Sequence, residues 1–209
     1  SKFEWRNVFF HITIMKKKIV IIGAGVEQAY AYHLAHNSGH YIIATDSNPD
    51  APAVKLSDHF IKVSTKDADK TLIALQEYCS ENGLIDGVMT IANDVPYTVA
   101  CVAEFFSLPG HSVDSALIST NKLHMKQAFK TNGVACPEFW EVRSASELKT
   151  ILRQERVDLF VLKPLDGCGA RGVLLLKSTD DIDWAWRESL NWSKCRTLLL
   201  ERFVSGLQI

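Results

Sequence analysis

Residues 159–176, LFVLKPLDGCGARGVLLL, admit few folds. An apolar strand ends in Lys163-Pro164, glycines follow at Gly167, Gly169 and Gly172, and a second apolar strand, Val173-Leu174-Leu175-Leu176, starts at once. In the Walker and dinucleotide fingerprints the glycines open a helix whose N-terminus holds the phosphate. Here a strand follows, so the turn is the tip of a β-hairpin. Gly167, Gly169 and Gly172 permit the positive φ values and close approach that a nest of backbone N–H groups around an anion requires, and Lys163 adds a point charge beside it. An ordinary hairpin with a long glycine-containing turn accounts for the same residues.

Ahead of the hairpin the chain alternates strand and helix. Residues 19–22 form a short buried strand and Gly23-Ala24-Gly25 a turn, after which Val26, Tyr30 and Leu34 recur at helical spacing until Gly39 supplies a stop. A second strand, 41–45, ends at Asp46; the turn-rich Ser47-Asn48-Pro49-Asp50-Ala51-Pro52 and a third strand at 60–63 follow. The next helix carries Leu72, Leu75 and Cys79 on one face and stops at Gly83. Residues 87–91 make a fourth strand, and Asp94 can cap a helix whose inner face is Val95, Val99, Val102 and Phe106. Such alternation implies a parallel sheet with helices on both faces.

Near Leu108-Pro109-Gly110 the rhythm changes. Residues 120–132 predict a helix closed by Gly133, and residues 139–142 a strand. Ser144-Ala145-Ser146-Glu147 is a capping box that opens a helix with Leu148, Ile151 and Leu152 inward. After the hairpin, residues 178–181 open a helix with Ile182, Ala185, Trp186 and Leu190 apolar, and residues 197–200 form a strand leading into Glu201-Arg202-Phe203-Val204. This part is α+β with antiparallel strands. The expected organisation is an extension at 1–14, a doubly wound, Rossmann-like α/β domain at 15–115 and a smaller α+β domain at 116–209.

Charge excludes more than it assigns. Twenty-three basic and twenty-four acidic residues leave a net charge of -1, so nothing pulls the chain globally toward nucleic acid or an anionic membrane. Residues 1–14, SKFEWRNVFFHITI, precede Met15 and three lysines; their basic residues lie on the wrong side for a secretory signal. No run approaches the ~20 apolar residues of a membrane span. The five cysteines, Cys79, Cys101, Cys136, Cys168 and Cys195, are odd in number and dispersed, which predicts reduced thiols and a cytoplasmic protein. Cys168 is read as a small residue that fits a tight turn. His33, His36 and His40 have metal-like spacing but no acidic or cysteine ligands nearby, so they are read as surface residues.

Gly23-x-Gly25, with Asp46 twenty-one residues past Gly25, is half of a dinucleotide fingerprint. Gln28 stands where a dinucleotide binder wants glycine for close helix–strand packing, so an NAD(P)-binding oxidoreductase domain is the lesser alternative. The C-terminal edge of the sheet can still bind a substrate, and Glu27, Asp46, Asn93 and Asp94 fall at such edges, where each also serves as a cap or turn residue.

Taken together, from about Lys17 to Ile209, the order of these elements resembles the ATP-grasp superfamily, specifically its carbamoyl-phosphate-synthase-like and carboxylate-amine ligase branch. The first part looks like the family's N-terminal substrate-side (pre-ATP-grasp) domain and the second like the small half of its ATP clamp. Asn121-Lys122 falls where the family usually has Asp-Lys, and the resemblance makes Lys122 and the strand lysine Lys163 phosphate contacts. Asp166 to Gly172 matches the flexible glycine-rich lid, with Gly167, Gly169, Ala170, Arg171 and Gly172 over the phosphates. Arg171 is either such a cover or a solvated turn residue. The segment Glu201-Arg202-Phe203-Val204 is similar to the adenine-binding connection, with the backbone of Glu201 and Val204 bonding the adenine edge and Phe203 between them. Gln208 sits where many members use a ribose-binding Glu; an amide can also bond a hydroxyl.

The resemblance implies a ligase that uses ATP and Mg²⁺ to activate a small carboxylate as an acyl phosphate, which an amine or similar nucleophile attacks. It also implies a second clamp half beyond Ile209 carrying the catalytic groups and metal ligands, so the 209 residues alone are expected to be an inactive fragment with no metal site of their own. Self-association as a homodimer is left open. The competing function is a nucleotide-binding module that does no chemistry.

Overall fold

The structure is a computed structural model; it describes residues 16–155, 159–166 and 169–206. It divides into two compact units, Ser1–Ser112 and Val113–Ile209. The 1–14 extension, Gly167, Cys168 and Gln208 lie outside the described residues.

The first unit is built on four strands, β1 (Lys18–Ile22), β2 (Tyr41–Asp46), β3 (His59–Lys62) and β4 (Gly87–Met89), in the order β3-β2-β1-β4 and all parallel. Val20 of β1 lies between Ile43 and Val88. Three helices, α1 (Ala29–Asn37), α2 (Ala68–Asn82) and α3 (Pro96–Phe105), cover it. Ile21, Ile42 and Ala44 pack on Ala31 and Tyr32 of α1, while Val20, Ile22 and Ile43 pack on Leu75 and Tyr78 of α2 and Val99 and Val102 of α3. Both faces are therefore dry, which is why β1 reads KIVII without alternation.

Three local expectations need correction. The apolar spacing after Gly25 marks the outside of α1 and of the 3-10 turn before it: Val26 in the turn is 72% exposed, Tyr30 68% and Leu34 50%. The helix approaches the sheet through Ala31 and through Tyr32, whose hydroxyl donates to the Gly23 carbonyl at 2.9 Å. Asp94 is not the cap of α3; Val95 occupies that position and Pro96 opens the helix, where a missing N–H costs nothing. β4 stops at Met89, short of Ile91, and the chain leaves it through Ala92 at φ 48°.

The second unit holds β5 (Phe139–Val142), β6 (Phe160–Pro164), β7 (Leu174–Leu176) and β8 (Leu198–Arg202) in the order β5-β8-β6-β7, antiparallel throughout. The helix expected at 120–132 is α5 (Lys122–Thr131), and an unforeseen helix, α4 (Val113–Thr120), precedes it. Asn121 divides them: its side chain accepts from the N–H groups of Leu123 and His124 and caps α5. Two further helices, α6 (Ala145–Gln154) and α7 (Ile182–Leu190), bury Leu148, Leu152, Ile182 and Ala185 against Val142, Phe160, Leu162, Leu198 and Leu200. The Ser144 hydroxyl caps α6 by accepting from the Glu147 N–H at 3.2 Å, and the Glu147 carboxylate reaches back one residue past the cap, to the Arg143 N–H at 2.8 Å.

Candidate functional site

Side chains alternate across a strand, so with Leu162, Leu198 and Leu200 turned toward α6 and α7, the neighbours Lys163, Leu199 and Glu201 face the other way. On that second face Leu123 of α5 packs with Leu165, Leu199 and Phe139, which brings α5 over the sheet. Lys122 and Lys126 are four residues apart and share a helix face. Lys122 is anchored to the end of β6, its N–H 3.4 Å and its ammonium 3.3 Å from the Leu165 carbonyl.

Glu201 is the centre of the cluster. Val161 pairs with Glu201 and Lys163 with Leu199, so Lys163 and Glu201 are diagonal neighbours on one face. Lys163 Nζ lies 2.8 Å from Glu201 Oε2, and Lys126 Nζ 3.3 Å from Oε1. The Lys126 contact is close enough for an ion pair but off the hydrogen-bonding direction, so Oε1 accepts no hydrogen bond. Lys126 appears in no motif read from the sequence; its spacing from Lys122 is the one signal that places it here.

The main chain of Glu201 is also committed. Phe203 N–H donates to Leu159 and Arg202 N–H to Glu138. Alternation then turns the Glu201 N–H and C=O toward Val161 of β6. Contact between that backbone and an adenine edge is therefore revised: what Glu201 offers is its carboxylate. Phe203 and Val204 lie past the end of β8 and are exposed, as is Arg202, whose guanidinium is 3.3 Å from Glu138.

The glycine-rich loop leaves β6 beside Lys163 and is tied at both ends. Asp166 accepts from the N–H groups of Lys194 at 2.9 Å and Cys195 at 3.1 Å, and from Ser193 Oγ at 3.2 Å. At the other end Ser189 Oγ donates to the Gly172 carbonyl at 2.8 Å, and the Arg171 guanidinium sits 5.5 Å from the Trp192 ring centroid. Gly169, Ala170 and Gly172 have φ of 65°, 57° and 70°. At Gly172 a Cβ would fall 2.8 Å from Trp192 Cδ1 and 3.0 Å from Pro164 Cγ, so only glycine fits.

In the first unit the loop after β1 is already filled. Gln28 is buried and donates through Nε2 to the carbonyls of Ile91 at 2.9 Å and Ala92 at 3.0 Å. Its Oε1 would lie 2.6 Å from a Cβ on Gly25, so a carbonyl dipole faces the place where a dinucleotide binder receives pyrophosphate. Asp46 accepts from the N–H groups of Ala24 and Asn48, both at 2.9 Å, and ties two loops together. Glu27 is exposed, and Asn93 approaches Gly23 closely enough that a Cβ there would meet its Nδ2 at 2.7 Å. Among the described residues no group of three His, Cys, Asp or Glu can hold a metal, and no helix is long and apolar enough to cross a membrane.

Comparison with known proteins agrees with this architecture. Residues 19–112 match the family described as PylC-like, N-terminal domain. The chain is 22% identical over 196 residues to a formate-dependent phosphoribosylglycinamide formyltransferase of Prochlorococcus marinus (strain NATL2A), covering 92% of this chain and 49% of that one. It is 25% identical over 142 residues to a D-alanine--D-alanine ligase of Bordetella avium (strain 197N), covering 68% and 40%. An N5-carboxyaminoimidazole synthetase from Staphylococcus aureus, solved as an ADP complex, superposes with a TM-score of 0.71 at 16% identity, over 90% of this chain and 48% of that one. The chain thus spans about half the length of the curated relatives it matches. Its relatives and structural neighbours are ATP-grasp ligases, and its fold is that of their N-terminal part.

Proposed function

We propose that this chain is the ATP-binding N-terminal portion of a cytoplasmic ligase that joins a small carboxylate to an amine through an acyl phosphate. The observation that carries the reading is the pairing of Lys126 and Lys163 with the one carboxylate of Glu201, and of Lys122 with the Leu165 carbonyl just past the end of β6, beside a loop that turns through three positive-φ residues. Two ammonium groups against the Glu201 carboxylate leave positive charge on a partly covered face, as a polyphosphate requires. Lys163 and Lys122 would meet the phosphates, and the N–H groups of Gly169, Ala170, Arg171 and Gly172, with Gly167, would cover them. Arg202, Phe203 and Val204, past the sheet, would line the adenine, with Val204 giving its backbone to the adenine edge and Gln208 reaching the ribose.

ATP supplies the phosphoryl group and Mg²⁺ the charge that its transfer needs. In this reading the magnesium ligands and the groups that meet the acid and amine belong to the rest of the whole protein, so these 209 residues alone release no ADP. The filled loop at Gln28 weighs against a nicotinamide cofactor.

The test is calorimetric titration of the full chain, as its gene encodes it, with ATP. Lys163→Met and Lys122→Met should each weaken binding by ~1–3 kcal/mol, the worth of a charge-assisted contact, while leaving the melting temperature near wild type. Unchanged affinity in both variants would make the loop an ordinary hairpin tip. ATP binding without ADP release for any pool of acids and amines would make the protein a binding module.

A further inference from the structure

The side chains of Lys126 and Glu201 keep only 10% and 8% of their exposure, whereas that of Lys163 keeps 20%. One carboxylate faces two ammonium groups, one on each oxygen. If Lys163 turns to a nucleotide phosphate it must leave Oε2, and a buried carboxylate stripped of its partners is strongly disfavoured. Lys126 removes that obstacle: it stays on Oε1 whichever way Lys163 points, because α5 holds it against the sheet through the Asn121 cap and the Leu123 packing.

We infer that Lys126 is a positioning residue for nucleotide binding, a standing counter-ion that keeps Glu201 paired and so lets Lys163 exchange the carboxylate for a phosphate. The inference rests on the nucleotide-binding reading above. It gives the cluster two states: an open one in which Glu201 is shared by both lysines, and a loaded one in which Lys126 alone neutralises it. Lys126 itself touches no nucleotide in either state. No proton moves; the exchange is of ion-pair partners only.

The experiment measures ADP affinity of the full chain by calorimetry for wild type, Lys126→Met, Lys126→Arg and the double variant Lys126→Met/Glu201→Gln, with thermal melts of each. Lys126→Met should weaken ADP binding about tenfold, equivalent to ~1.4 kcal/mol, because Glu201 then retains Lys163. Lys126→Arg should keep the affinity within about threefold, since a guanidinium also pairs with Oε1. The decisive variant is the double one: with no carboxylate left to hold Lys163, affinity should return to within about threefold of wild type. A Lys126 that merely supports the fold predicts the opposite, a double variant no tighter than Lys126→Met. That result, or Lys126→Met binding like wild type, overturns the inference while leaving ATP binding intact. A wild-type chain that binds no ADP overturns the functional reading as well. Should Lys126→Met be too unstable to titrate, Glu201→Gln alone decides: it should bind at least as tightly as wild type, and a tenfold loss would sink the idea.

Discussion

Replacing Gly172 by alanine tests how the glycine-rich loop is anchored, and its cost can be worked from two separate sources. The first is backbone strain: Gly172 sits at φ 70°, where an L side chain costs about 1–2 kcal/mol. The second is overpacking. The added Cβ would lie 2.8 Å from Trp192 Cδ1, 2.9 Å from Trp192 Cβ and 3.0 Å from Pro164 Cγ. A tryptophan Cβ and a proline ring cannot swing aside as the end of a lysine could, so the backbone must shift, at about 1–3 kcal/mol. The sum, about 2–5 kcal/mol, is a large part of the ~5–15 kcal/mol that holds a domain together. Two controls separate the terms. Gly169 and Gly133 have φ of 65° and 69°, and a Cβ added at either would meet nothing within 4 Å, so alanine there should cost only the strain, about 1–2 kcal/mol. Guanidinium unfolding followed by tryptophan fluorescence is the assay, because Trp140, Trp184, Trp186 and Trp192 all belong to the second unit. A Gly172→Ala variant within about 0.5 kcal/mol of Gly169→Ala would refute the packing argument, since the strain term is common to both.

Two further outcomes concern the first unit. Burial, with smaller contributions from Tyr41, Cys79 and Asp58, pushes the Tyr78 phenol from 10.0 up to about 12. The folded state therefore keeps a proton that the unfolded chain releases near 10.0; the stability this gives is complete below that pH and is lost as pH rises toward about 12. Denaturant midpoints measured between those limits should fall for wild type and fall less for Tyr78→Phe, and equal slopes would contradict the assignment. Burial likewise raises the Cys79 thiol above its ordinary 9.0, whereas Cys195 is exposed. Iodoacetamide at mildly alkaline pH should label Cys195 well before Cys79 by peptide mass mapping; the reverse order would mean that α2 opens readily.

The parts of this fold legible in the sequence are those set by short-range chemistry. Continuous apolar runs mark the parallel strands because both sheet faces are covered, and the cap at Ser144 places the start of α6 because its hydrogen bonds are local. The failures have equally definite causes. Val26, Tyr30 and Leu34 keep helical period yet face solvent, because close approach of α1 to the sheet favours Ala31 on the inner side, and periodicity does not record which stripe points inward. Asp94 has the chemistry of a cap, but Pro96 sets the first turn of α3 and moves the boundary one residue on. α4 is unforeseen because Ala116 is its one buried residue, so it carries no inward apolar stripe to read.

The charged cluster lies further out of reach of sequence reasoning, and the reason bears on what it does. Lys163 and Glu201 are thirty-eight residues apart and meet only because β6 and β8 pair with Val161 opposite Glu201; a slip of one residue would turn Glu201 toward the leucines of α6 and α7. Lys126 joins them only because Leu123, one turn earlier on α5, docks on Leu165 and Leu199. Register and helix docking are set by apolar contacts, and the three charges are carried into place by them. A carboxylate placed this way, with an ammonium on each oxygen, would be a costly ornament if it served the fold alone, since well-packed apolar residues fill such a space at least as well. Its presence beside a glycine-rich loop makes sense where one of the two ammonium groups has another anion to meet. That is why a lysine no motif picks out, Lys126, should control the affinity for a nucleotide it never touches.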